Sequence, residues 1–143
     1  HRDLHLSIRR QRQMCKETAI VQKDIKKEGK RLTNLREFAL DTILRTNPSA
    51  QVNGDRENRL PNNINICFLG HDSEFLVLKL DVRGIAVSSS SSCNTKKDDP
   101  RSKVIQSLGG KDCDGSSLRI TLGRSTTKAH VQRLVKCIPE ILK

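Results

Sequence analysis

The sequence of 143 residues contains three phenylalanines but neither tryptophan nor tyrosine. A hydrophobic core must therefore be built almost entirely from aliphatic side chains. Proteins that bind single-stranded nucleic acid stack the bases on aromatic rings, so this chain has few groups for that task. No apolar run approaches the roughly 18 residues of a membrane-spanning helix, which disfavours a membrane protein.

The cysteines lack the spacing of a metal site. Their number is odd and no C-x-x-C pair occurs, which predicts neither a disulfide framework nor a zinc site, and we expect reduced thiols. A glycine-rich phosphate loop is also absent, so a Rossmann domain is not supported. The five cysteines are Cys15, Cys67, Cys93, Cys113 and Cys137.

The net charge of +11 is the strongest compositional bias of the chain. A basic surface is typical of nucleic-acid binding. Residues 1–46 hold twelve Lys or Arg but also six Asp or Glu, and the two signs are mixed along a predicted helix. We interpret the excess as a solvated helix face, which disfavours nucleic-acid binding, and expect a soluble cytoplasmic protein.

Apolar residues repeat at helical spacing near both ends of the chain. The first repeat predicts one long helix from about Lys16 to Arg45, which Asn47-Pro48 ends. The second predicts a closing helix that Thr126 caps and that Pro139 bends or breaks. The two apolar stripes are Val21, Ile25, Leu32, Leu35, Ala39 and Ile43, and Val131, Leu134, Val135, Ile138 and Leu142.

Between these helices the pattern changes to short strands and helices. Strands are predicted over residues 64–68, 84–87 and 117–122. Asp72 or Ser73 can cap a helix through Leu80, and Pro100 or Ser102 can open another through Leu108. These elements predict an α/β fold in which helices cover a small mixed sheet of about three to four strands.

The segment 84–93 joins a predicted strand to five consecutive serines and then Cys93. A serine run cannot bury enough apolar surface to pack, so the thiol should be able to travel. In strand 117–122 the alternation places Arg119 on the polar face, where a guanidinium can bind a carboxylate through two hydrogen bonds. Residue type alone also allows simpler interpretations of each feature. Cys93 could be an incidental loop thiol, and the serine run could be a linker or a phosphorylated tract. Arg119 could pair with Asp112 or Asp114 on a neighbouring loop.

Three blocks of the sequence resemble the cysteine desulfurases, the pyridoxal-phosphate enzymes of the class V aminotransferase family. The resemblance covers roughly residues 16–143 and implies the small C-terminal domain of a fold-type I pyridoxal-phosphate enzyme. Residues 1–15 stand apart as a divergent N-terminal remnant, and we expect a fragment or the product of a broken reading frame. The blocks are Asn53-Gly54-Asp55 with Arg59-Leu60-Pro61-Asn62-Asn63-Ile64-Asn65, then residues 84–93, then residues 116–124 with Thr126-Thr127.

The resemblance implies a role for two residues. Cys93 would accept sulfur from L-cysteine as a persulfide, which leaves alanine, and Arg119 would hold the substrate's α-carboxylate. The intact enzyme would be a homodimer that uses pyridoxal 5'-phosphate and passes sulfur to an acceptor or scaffold protein for iron–sulfur cluster assembly or tRNA thiolation. The cofactor lysine belongs to a large domain that is missing here, so the isolated chain should bind no cofactor covalently. The alternative is an inactive remnant or a basic RNA-binding module.

Overall fold

The computed structural model describes residues 2–89, 103–108, 113 and 115–143. The predicted α/β class is confirmed, since helices cover a four-stranded sheet. Cys93 and the predicted helix start at Pro100 or Ser102 lie outside the described residues. The elements are α1 (Arg2–Thr46), β1 (Ala50–Val52), β2 (Asn63–Phe68), α2 (Ser73–Asp81), β3 (Ser88–Ser89), α3 (Lys103–Ser107), β4 (Ser117–Thr121) and α4 (Lys128–Ile141).

Helix α1 is longer than the apolar stripe predicts, because it begins at Arg2. Residues 2–28 contain neither proline nor glycine and are rich in good helix formers, so nothing local ends the helix earlier. Its C-terminal half packs as predicted, with Ala39 and Ile43 fully buried. Ile25 in the same stripe is 58% exposed, so the predicted burial is wrong there.

The sheet has the strand order β1-β2-β4-β3. We predict a mixed sheet, whereas every described strand pair is antiparallel. Strands β2 and β3 do run in the same direction, but β4 lies between them. One face carries the apolar residues Ile64, Ile66, Leu118 and Ile120, which are buried under α1, α2 and α4.

Side chains cap the N-termini of helices α2 and α4. Asp72 caps α2 as predicted, and its carboxylate accepts the amide of Phe75 at 2.8 Å. Helix α4 begins one residue later than predicted, because Thr127 is its cap. The hydroxyl of Thr126 instead accepts the amide of Gly123 at 2.8 Å. Pro139 does not break α4, which continues to Ile141.

The second predicted strand, residues 84–87, is wrong in position. Residues 84–87 form the turn and loop that follow the C-terminus of α2. Gly84 adopts a φ of 69° there and donates its amide to the carbonyl of Asp81 at 2.7 Å. Ile85 also bonds back to Leu80 at 3.0 Å, so its amide is turned away from the sheet. Pairing with β4 therefore begins only at Ser88.

Candidate functional site

Arg119 lies on the polar face of the sheet, as the alternation in β4 predicts. Its two neighbours, Leu118 and Ile120, point into the core, whereas Arg119 is exposed. Across the sheet it stands opposite Asn65 of β2 and Ser88 of β3. No described residue forms a hydrogen bond or ion pair with its guanidinium, so this cation is available to an external anion.

A cleft of about 390 Å³ contains Arg119. Its floor is the polar face of β2, with Asn63 and Asn65, and one side is the turn that follows β1. Helix α3 lies along another side and contributes apolar side chains, so the cleft pairs a cation with a partly apolar wall. These apolar residues are Val104, Ile105 and Leu108.

Asn53 fixes the floor of this cleft through a buried network. Its Nδ2 donates to Oδ1 of Asn65 and to Oγ of Ser117, at 2.9 Å in each case. The Ser117 hydroxyl in turn donates to the carbonyl of Cys113 at 2.8 Å. Because Asn65 stands opposite Arg119, the network holds the strand beside the guanidinium.

The turn after Asn53 is held by two charged side chains. The Asp55 carboxylate accepts the amides of Glu57 and Asn58 at 2.6 and 2.7 Å, which lowers the pKa of Asp55. Arg59 donates to the carbonyls of Asp55 and Asn53, so it clamps the turn. Burial, together with the nearby charge of Arg36, lowers the pKa of Arg59.

The arrangement is suited to binding a carboxylate. A free guanidinium presents two parallel N–H groups that match the two oxygens of a carboxylate. Among the described residues that line the cleft there is no lysine. The described part of the chain also contains no group of three or more metal-ligating side chains.

The expectation that all thiols are reduced is wrong, because Cys67 and Cys113 form a disulfide. Cys67 is on β2 and is fully buried, and Cys113 is only 3% exposed. The two are 46 residues apart, so no short spacing could have revealed the pair. Cys137 is a free thiol and is half-buried.

The strand pattern places Arg119 on the polar face, but it does not reveal which residues surround Arg119. Asn53 was visible as part of a turn, yet nothing local showed that its side chain would reach Ser117. The alternative partners of Arg119, Asp112 and Asp114, lie outside the described residues, as does Cys93. The structure therefore brings Arg119 together with Asn53 and Asn65.

The basic residues of α1 are partly occupied by acidic partners. Arg31 pairs with Glu28 at 2.7 Å, and this pairing lowers the pKa of Glu28. Asp24 pairs with Arg124 from the loop before α4 at 2.5 Å. The first pair lies within α1, whereas the second joins α1 to the loop before α4. Within the described ranges, no helix is both long enough and apolar enough to cross a bilayer.

The sequence of the chain matches a known protein family. The family model for class-V aminotransferases matches residues 16–134, which is most of the chain. The chain belongs to the class-V aminotransferase family. This membership agrees with the resemblance drawn from residues 53–65, 84–93 and 116–127.

Curated relatives carry the name cysteine desulfurase. The chain is 36% identical over 129 residues to cysteine desulfurase IscS 1 of Archaeoglobus fulgidus, with 90% of this chain and 33% of the relative covered. It is 38% identical over 120 residues to a cysteine desulfurase of Nostoc, with 83% and 29% covered. The chain therefore spans about a third of the length of these relatives.

Solved structures of NifS-like proteins have the same fold. One aligns with a TM-score of 0.72 and 22% identity, and the alignment covers 86% of this chain and 30% of that one. A NifS-like protein from Rickettsia africae aligns with a TM-score of 0.69 and 23% identity, covering 86% and 31%. These likenesses concern the fold.

Proposed function

We propose that this chain is the C-terminal part of a pyridoxal-phosphate-dependent cysteine desulfurase and that Arg119 binds the α-carboxylate of L-cysteine. The observation that carries the proposal is the exposed guanidinium of Arg119, which has no partner among the described residues and stands in a cleft. A structural arginine would be expected to pair with an acid or a carbonyl, as Arg59 does. The family membership and the names of the relatives support the same reading.

Cys93 is the sulfur acceptor in this proposal. It follows Ser89 by four residues, and Ser88 stands opposite Arg119. A fully extended chain spans about 3.5 Å per residue, so covalent geometry keeps Cys93 within about 14 Å of Ser89. The thiolate would take the sulfur atom of the substrate and become a persulfide, while alanine leaves.

The described residues do not fit covalent attachment of the cofactor, because the cleft has no lysine among its described lining residues. We propose that the lysine belongs to a part of the protein outside this chain, which spans about a third of its relatives. When bound, pyridoxal phosphate acts as an electron sink. This chain's own contribution is to orient the substrate carboxylate through Arg119 and to present the Cys93 thiol.

The remaining assignments follow from the proposed activity. Residues 16–143 form the small domain, and residues 1–15 are a divergent N-terminal remnant whose residues from Arg2 onward continue into the same helix α1. The intact enzyme is a homodimer, and a sulfur-acceptor or scaffold protein receives the persulfide sulfur for iron–sulfur cluster assembly or tRNA thiolation. An RNA-binding role is less well supported, because several arginines of α1 and its surroundings are already paired with acids.

Arg119 is tested by comparing two substrates in the full-length protein. Cysteamine is L-cysteine without its carboxylate, so it cannot use the guanidinium. Arg119→Gln should lower the preference in kcat/KM for L-cysteine over cysteamine by about 10- to 100-fold, because a charge-assisted hydrogen bond contributes about 1.5–3 kcal/mol. Arg119→Lys should lose part of this preference. Arg45→Gln, at the exposed end of α1, is the matched control, and an unchanged preference in Arg119→Gln would overturn the assignment.

Cys93 is tested by mass spectrometry of the same protein after incubation with L-cysteine. The wild-type chain should gain one sulfur atom on the peptide that contains Cys93. Cys93→Ser should lose this persulfide but keep the cofactor absorbance, since the thiol acts after the substrate is bound. Cys137→Ser is the matched control because Cys137 is a free thiol in the described structure. Persulfide formation that survives Cys93→Ser would refute the role.

A further inference from the structure

The Cys67–Cys113 disulfide lies on the same face of the sheet as Arg119. Gln51, Cys67 and Ser117 stand opposite one another across β1, β2 and β4. Arg119 is two residues beyond Ser117, and side chains two residues apart in a strand share a face. The disulfide therefore lies on the sheet face that carries the Arg119 cleft, beside the residues that line the cleft.

Helix α3 packs against this disulfide through Ile105. Of the α3 side chains that are described, Ile105 is the buried one, at 1% exposure, and it packs in a small cluster with Cys67 and Cys113. Leu69 packs against the same cluster. The cluster is separate from the main core, so α3 shares none of the helix packing on the other face of the sheet.

The other end of α3 reaches the turn after β1. A methyl group added to Gly54 would lie 3.6 Å from Cδ1 of Leu108. Helix α3 thus spans from the disulfide to the turn, and it supplies the apolar wall of the cleft. A helix of five residues has no stability of its own, so its position depends on tertiary contacts, of which the packing of Ile105 on the disulfide is one.

We propose that Cys67 and Cys113 form a redox-sensitive modification site whose reduction releases α3 from the wall of the Arg119 cleft. The consequence for L-cysteine binding rests on the proposed function, whereas the release of α3 does not. The Cys67–Cys113 bond holds the segment before β4 against β2, and Ile105 packs on the two bonded cysteines.

The redox step balances with a dithiol as the reductant. One of its thiolates attacks a sulfur of the pair, the Cys67–Cys113 bond breaks, and the dithiol closes to its own disulfide. Two electrons and two protons pass to the protein and leave two thiols. Oε1 of Gln51 lies 3.9 Å from Sγ of Cys113, where it can accept a weak hydrogen bond from the new thiol.

Isoleucine methyl groups report both the local and the global state. We would record methyl NMR spectra of the 143-residue chain before and after treatment with dithiothreitol. Reduction should shift the Ile105 methyl resonance toward its value in an unfolded chain. The methyl of Ile138, buried in the main core, should not move.

Variants separate the disulfide from other effects of the reductant. The double variant Cys67→Ala with Cys113→Ala should show the released Ile105 signal without reductant, and Cys137→Ala should behave as the wild type. An Ile105 methyl resonance that keeps its folded position in the reduced wild type would overturn the proposal. A simultaneous change of Ile138 would overturn it too, since the disulfide would then hold the whole domain. If the double variant does not fold, the Ile105 and Ile138 signals of the reduced wild type still test the proposal. The readout does not depend on desulfurase activity, so it is independent of the proposed function.

Discussion

Reduction of the Cys67–Cys113 disulfide should lower the free energy of unfolding by about 4 kcal/mol. The bond joins residues 46 apart, so it forbids many extended conformations of the unfolded chain. In the chain-entropy model this restriction grows with the logarithm of loop length, and a loop of this size gives about 4 kcal/mol at 25 °C. The native state contributes the small cluster around Ile105, which reduction would also weaken.

Urea denaturation of the oxidised and the reduced chain measures this difference. The midpoint should fall on reduction, and the slope m should rise, because the uncrosslinked unfolded chain exposes more surface. In thermal unfolding the same loss corresponds to about 8–16 °C for a domain of this size. Comparing two redox states of one protein avoids the cavity that a Cys→Ala substitution creates.

Two controls assign the effect to this pair. In the double variant Cys67→Ala with Cys113→Ala, dithiothreitol should not change the midpoint, because the cross-link is already absent. Cys137→Ala should keep the full response to the reductant. An unchanged midpoint in the reduced wild type would refute the reasoning, since no cross-link would then be restricting the unfolded chain.

Two further predictions concern polar groups near the cleft and on α1. Asn53→Ala should cost about 1–3 kcal/mol of stability in urea denaturation, because it leaves buried hydrogen-bonding groups unmatched, whereas Asn34→Ala on the exposed face of α1 should cost little. Burial alone would raise the pKa of Glu37, but the guanidinium of Arg56, with a second arginine, lowers it overall. The stability from Glu37 is then present above its unfolded pKa of about 4.3 and is lost as pH falls through the lower folded value. Glu37→Gln should flatten the acid limb of stability against pH, Glu140→Gln should not, and equal limbs for all three proteins would refute the assignment.

The parts of the fold that follow from local signals were predictable. The end of α1 is set by Asn47-Pro48, and Asn47 there bonds back to Ile43 through its amide at 2.8 Å. Strands β2 and β4 follow from strict alternation of apolar and polar residues. Asp72 at the start of α2 has a side chain that satisfies an amide of the first turn, which its sequence position alone suggests.

The errors arise where tertiary contacts override local preference. Thr126 and Thr127 are equally good caps by residue type. The hydroxyl of Thr126 already accepts the amide of Gly123 at 2.8 Å and its carbonyl accepts Arg31 of α1 at 2.6 Å, and Thr127 is the cap. Pro139 removes one hydrogen bond from α4, but Ile138 and Ile141 are buried beside it. Burial of these two side chains outweighs the missing bond, so the helix continues.

The candidate site shows the same division between local and distant information. The period of β4 is enough to place Arg119 on the polar face, because alternation is a property of one strand. The rest of the cleft around Arg119 is lined by residues of the turn after β1, of β2 and of the α3 region. Asn53 arrives through the register of β1 with β2, and Cys113 arrives through a bond that spans 46 residues. Since the disulfide joins residues 46 apart and the apolar wall packs on it, the position of Arg119 on the polar face was readable from the sequence and the shape of its cleft was not.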